Sequence, residues 1–219
     1  MKPLSLSQNF RNSLFIRTFF IFIIFCLALL FSFFYPAKDL FESILFSAIF
    51  FVLFPFLCMR LILHEKFSDF GFKAHISFQD ILFFTLLFFF SFFFLFLFSR
   101  ITHTENLISL PEYTRDSFWL FFLHFFLFIG SFTFFYEFLF RGFLQIGLSR
   151  YFHFWSIPIQ LSFFFFFLFA TETLQWETLP LIISSIGSSI LIYRTHSLLF
   201  AFLFSWLFAI LTSIVFVFL

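Results

Sequence analysis

Apolar and polar residues do not alternate along this chain; apolar ones come in long uninterrupted runs parted by short polar breaks. The runs cover about 18–35, 40–59, 81–98, 118–135, 152–170, 179–193 and 197–219. Each is close to the roughly 20 residues that an α-helix needs to cross hydrocarbon, the sixth being short. A membrane strand would be shorter and would alternate between lipid and lumen, so helices are expected and a barrel is not. The pattern predicts an all-α, polytopic transmembrane helix bundle of about seven spans. No stretch rich in Pro, Gly or Ser divides the chain and no fixed-period repeat appears, so residues 1–219 are expected to form one integral membrane domain.

The polar breaks set the expected topology. A basic leader, 1–17, carries Lys2, Arg11 and Arg17. The first run is long for a secretory signal and lacks a small-x-small cleavage pattern at 31–35, so it is expected to stay as a span. A short connection holds Lys38, Asp39 and Glu42, and a polar hairpin over 60–79 holds His64, Glu65, Lys66, Asp69 and Lys73. The longest hydrophilic stretch, 99–117, holds Glu105, Glu112, Arg115 and Asp116 around Pro111. If the leader is cytoplasmic, Lys2, Arg11, Arg17, Arg60, Lys66, Lys73, Arg141, Arg150 and Arg194 fall inside and only Lys38, Arg100 and Arg115 outside. That asymmetry predicts a cytoplasmic N-terminus.

Composition sharpens the class. The chain is 63% hydrophobic and 11% charged, with mean hydropathy +1.11, whereas soluble domains run near ~25% charged. Its 55 phenylalanines are expected as apolar filler in place of Leu against lipid. A net charge of +1 without a basic run or a stacking motif argues against a nucleic-acid partner. Cys26 and Cys58 both sit in apolar runs and are expected as small hydrophobes, not a disulfide or a metal pair.

Candidate chemistry gathers at 136–145. Glu137 and Arg141 interrupt a run of Phe and Leu at i and i+4, with Glu on the N-terminal side, the favoured order for an ion pair on one helix face. Charge at membrane depth is costly, which marks a functional site or a structural clasp. In the sixth run, Ser184/Ser188 and Ser185/Ser189 form small-xxx-small pairs that let helices approach closely, within the bundle or at a dimer seam or substrate groove. Of the six histidines, only His124 lies deep in a span; 13 residues separate it from Glu137, so one unbroken helix is not expected to bring the two together.

The segment Phe140-Arg141-Gly142-Phe143-Leu144-Gln145, preceded by Glu137, resembles the first motif of the intramembrane CAAX-protease and bacteriocin-processing family (CPBP or Abi family), Glu-Glu-x-x-x-Arg continued as Phe-Arg-Gly-x-Leu-Gln. The basic stretch 69–73 with the helix start at 76–80, and the stretch 195–201 opening the last helix, also resemble that family, over about 60–215. The resemblance implies a CAAX-protease-like bundle in a bacterial inner (plasma) membrane. It also implies peptide-bond hydrolysis by a Glu, two His and an Asn, commonly with a metal ion. A carboxylate base and imidazoles holding zinc suit that chemistry.

Aligned through Arg141, however, the first Glu of the pair falls on Tyr136, the His of the second motif on Phe169, and the His and Asn of the third on Ser205 and Ala209. Phe and Ala neither ligate a metal nor move a proton. Glu137 and Arg141 remain as motif remnants. The expectation is therefore a pseudo-protease with no cofactor, whose partners are the bilayer and a membrane protein or lipidated peptide. Two alternatives stay open. One is an active zinc endopeptidase with a rearranged site of Glu137, Glu172 and His124. The other is a small transporter or channel subunit, against which stands the lack of Gly/Pro-interrupted helices and polar lining.

Overall fold

The computed structural model describes residues 8–35, 39–72, 77–102, 117–175 and 178–218. Lys2, Lys38, Lys73, His75, His103, Glu105, Pro111, Glu112, Arg115, Asp116 and Glu177 lie outside the described residues. Helix α1 is Gln8–Phe34, so helix begins within the predicted leader. Helix α2 runs over 40–61, α3 is Phe78–Thr102, α4 runs over 118–152, α5 is Ser156–Ala170, α6 is Leu179–Thr195 and α7 is Leu198–Phe218. The described residues hold no strand.

Among the described residues, five helical stretches are long and apolar enough to cross a membrane: Phe15–Phe34, Phe41–Leu61, Phe78–Phe98, Phe118–Ala170 and Leu198–Val215. Leu179–Thr195 is a shorter apolar helix. This is the make-up of an integral membrane protein. Large apolar side chains on the outside agree with contact to lipid: Phe89, Phe90 and Phe93 of α3 are each more than half exposed. In water such a stripe would be a strong association surface.

Local chemistry explains where the helices start and stop. Asp39 caps α2 by accepting the Glu42 amide at 2.8 Å. Ser77 and Asp80 cap α3 reciprocally, each side chain accepting the other's backbone amide at 3.2 Å. Between α2 and α3 a 3₁₀ turn, Phe67–Phe70, ends at Gly71, whose φ of +91° suits glycine. A Cβ on Gly71 would also meet the Ile146 side chain at 2.7 Å, and its carbonyl accepts the Leu198 amide at 2.8 Å, tying this connection to the start of α7. The α4–α5 junction is a sharp break at His153, with φ 51°, followed by a 3₁₀ turn, His153–Trp155.

The fourth run continues into the Glu137–Arg141 segment without a break; they are one rod, α4, widened by two π-helical segments, His124–Ile129 and Glu137–Gln145. A π turn accommodates an extra residue per turn and is often found at functional sites. A third π segment, Ala48–Leu53, widens α2.

The core lies where α1, α2, α4 and α5 meet. Its phenylalanines pack edge to face: Phe25 on Phe140 at 5.3 Å and 79°, and Phe140 on Phe164 at 5.3 Å and 87°. Phenylalanine therefore builds the interior as well as the lipid face, which the filler reading does not capture. Cys26 and Cys58 are free and half-buried. The serine stripe of α6 is an intra-bundle contact: Ser184, Ser185, Ser188 and Ser189 are all buried. Beside it, α7 comes so close that a Cβ on Gly187 would meet the Phe204 ring at 2.5 Å.

Candidate functional site

All nine residues of the second π segment of α4, Glu137–Gln145, are buried. Arg141 Nη1 lies 3.3 Å from Glu137 Oε1, and both side chains are about 97–98% sequestered, being only 3% and 2% exposed. The i, i+4 pair predicted from the motif is thus present, and it is deep. Removing two charges from water costs several kcal/mol per ion, and geometry of this kind must supply further contacts to offset that. Ser205 of α7 donates its hydroxyl to Glu137 Oε1 at 2.7 Å. Arg141 Nη2 donates to Ser185 Oγ of α6, and the guanidinium lies 5.4 Å from the centre of the Phe164 ring of α5. One pair on α4 therefore reaches α5, α6 and α7.

A second polar layer sits about one turn further along. Gln145 Nε2 donates to the Ser189 carbonyl at 2.7 Å, and the Ser189 hydroxyl donates to Gln160 Oε1 at 2.7 Å. Among the described residues, Glu137 Oε2, Arg141 Nε, Gln145 Oε1 and Gln160 Nε2 are buried with no hydrogen-bond partner. Orphaned buried polar atoms are uncommon, and four of them over these two adjacent layers mark a region shaped by more than packing.

Glu137 and Arg141 line a cavity of about 350 Å³. Tyr136, Ser205 and Ala209 line it too, so three of the four degenerate motif positions converge there with the clasp. Phe169 does not: its side chain is 70% exposed, on the outer face of α5. Phe164 supplies the α5 wall instead, one helical turn and a fraction earlier. Most of the remaining wall is apolar, with hydroxyls from Thr133, Ser184, Thr212 and Ser213. The Trp206 indole, donating to the Phe125 carbonyl at 2.9 Å, fixes α7 against the first π segment beside this cavity.

His124 also lines the cavity, from the first π segment of α4. Thirteen residues of the same rod still separate it from Glu137, more than three turns, so the two stand at different depths of that space. Glu172 is not in this wall; it is exposed in the turn after α5, with φ 55°. The proposed trio Glu137, Glu172 and His124 is therefore not assembled. Zinc in a hydrolytic site takes three protein ligands and an open position. Among the described residues no three His, Cys, Asp or Glu side chains come together, so this donor set does not fit the metal that the family resemblance implies.

Sequence reasoning missed Ser185 as the Arg141 partner, having taken the stripe as a close-approach face within the bundle or at a dimer seam or substrate groove. It also missed Gln160, although a lone amide in the apolar run 156–170 was a signal of the same kind as Glu137. The arrangement can do two things. It can pin four helices together around one ion pair, and it can offer a hydroxyl-flecked apolar space beside that pair. No protein-family model, curated protein or solved structure matches this chain.

Proposed function

We propose that this protein is a non-hydrolytic member of the CPBP type, with seven spans and a cytoplasmic N-terminus, that holds an apolar segment of a lipidated peptide or membrane protein in its intramembrane cavity. The observation that carries this reading is the convergence of Tyr136, Glu137, Ser205 and Ala209 on one mostly apolar cavity. These are positions that the motif alignment assigns to a reactive centre, and the side chains present cannot act as its imidazoles or amide. Glu137 is already held by Arg141 and Ser205, which suits a structural role better than that of a base. A farnesylated fluorescent peptide titrated into the purified chain in nanodiscs is expected to bind without being cut. Ala209→Phe, which fills the cavity, is expected to weaken binding about tenfold, near the loss of one buried apolar contact surface. Cleavage that disappears in Glu137→Gln would overturn this reading.

His124 sharing the cavity with Glu137 favours a second reading, a rearranged endopeptidase. It requires turnover that a chelator abolishes and that His124→Phe removes. An inert preparation with zinc supplied sinks it.

A further inference from the structure

A separate cleft of about 640 Å³ opens at one end of the bundle, and no residue lines both it and the cavity behind Glu137. Four parts of the chain build it: Arg17 of α1, the connection 64–71 after α2, Ile146, Ser149 and Arg150 at the end of α4, and His196 between α6 and α7. Its frame is rigid. Arg150 Nη1 sits between both oxygens of buried Glu65 at 2.5 and 2.6 Å, its Nη2 donates to the Asp69 carbonyl at 2.9 Å, and its guanidinium lies 5.4 Å from the Phe70 ring centre. The Gly71–Leu198 backbone bond closes the other side.

The charges are not balanced within this frame. Three cations, Arg17, Lys66 and Arg150, face two carboxylates, Glu65 and Asp69. Glu65 is consumed by the arginines, and Asp69 Oδ2 accepts the Lys66 backbone amide at 3.0 Å. Arg17 makes one long contact to Glu65, 3.5 Å, and its side chain is 51% exposed. Among the described residues no carboxylate pairs with the Lys66 ammonium, which is exposed. The cleft thus presents a guanidinium and an ammonium beside the Ser68 hydroxyl, with His64 and His196 at its edge. Guanidinium, ammonium and hydroxyl donors around a small concavity are the usual means of holding a phosphate group. The cleft lies beside the ends of apolar stretches, near the start of Phe15–Phe34 and the end of Phe41–Leu61, and basic pockets between spans take anionic headgroups.

We infer that this cleft binds a phosphate group, with Arg17 and Lys66 as the contacting cations and the Arg150–Glu65 pair as the brace that positions them. The phosphate is carried by an anionic phospholipid headgroup or is free in solution, and the test separates these sources.

The test is thermal unfolding of the full chain in neutral detergent, titrated separately with phosphatidic acid, phosphatidylcholine and inorganic phosphate. Phosphatidic acid is expected to raise the melting temperature and phosphatidylcholine to leave it unchanged. The double variant Arg17→Gln/Lys66→Gln is expected to weaken the apparent affinity at least about tenfold, as for the loss of charge-assisted hydrogen bonds. Arg194→Gln, which removes an exposed cation outside the cleft, is expected to leave it unchanged. Stabilisation by inorganic phosphate at the same concentrations assigns the site to free phosphate. No stabilisation by either phosphate source overturns the inference. So does a phosphatidic acid effect that the double variant retains, or one that Arg194→Gln weakens equally, since both describe general surface charge.

Discussion

Two carboxylate–arginine sites in this molecule solve opposite problems. Glu137 and Arg141 meet in the buried interior, with one 3.3 Å ion contact, two serine hydroxyls and an aromatic face. Glu65 and Arg150 meet at the bundle's end, with contacts of 2.5 and 2.6 Å, a second arginine nearby and a water-accessible cleft beside them. The outer pair is closer in contact yet less costly to disrupt, because Arg150 is 31% exposed and Arg17 still faces Glu65 when Arg150 is lost. The inner pair holds buried atoms that nothing else satisfies. Burial, more than contact distance, sets what each arginine is worth.

The largest expected effect comes from breaking the inner pair on one side. Arg141→Leu strands Glu137 and is expected to destabilise the bundle by about 3–5 kcal/mol, seen as a lower unfolding midpoint in detergent titrated with denaturing surfactant. Glu137→Met/Arg141→Leu together is expected to recover most of that loss, because a packed apolar pair needs no desolvation. A double variant as unstable as the single one would break the comparison, showing that the clasp fixes the helices rather than merely neutralising itself. Next, Gly187→Ala drives a methyl into the Phe204 ring and is expected to cost about 1–3 kcal/mol by overpacking. That change pushes α7, and Ser205 with it, away from the clasp. A smaller effect is expected outside: Arg150→Gln loses about 2 kcal/mol, as for a charged hydrogen bond. The loss should shrink in about 1 M salt, which screens the part-exposed Arg150 more than the fully buried Arg141. Smallest is Arg194→Gln, which removes a 3.9 Å contact to Asp80 from a side chain 45% exposed and is expected to change stability by less than about 1 kcal/mol.

The helices were legible because lipid requires long continuous apolar runs; α6, expected over 179–193, ends at Thr195. The inner ion pair was legible for the same reason, since Glu137 and Arg141 are conspicuous against phenylalanine. What that background hides is rotational phase. In the run 163–167, five consecutive phenylalanines carry no periodicity to say which faces inward. Motif alignment therefore chose Phe169, while packing turned Phe164 to the cavity and left Phe169 outside. The π segments were equally hidden, because no residue type demands them. The outer cleft was missed because Glu65 and Arg150 lie 85 residues apart and each, taken singly, looks like an ordinary loop charge.

The wide turn over Glu137–Gln145 acts as a register shim. Deleting one residue there would be absorbed, because the turn gives up its extra residue and relaxes to ordinary pitch. The same deletion in the regular turns just before it, Gly130–Tyr136, would swing everything beyond by about 100° and rotate Arg150 off Glu65, a bond lost at the tip of the rod.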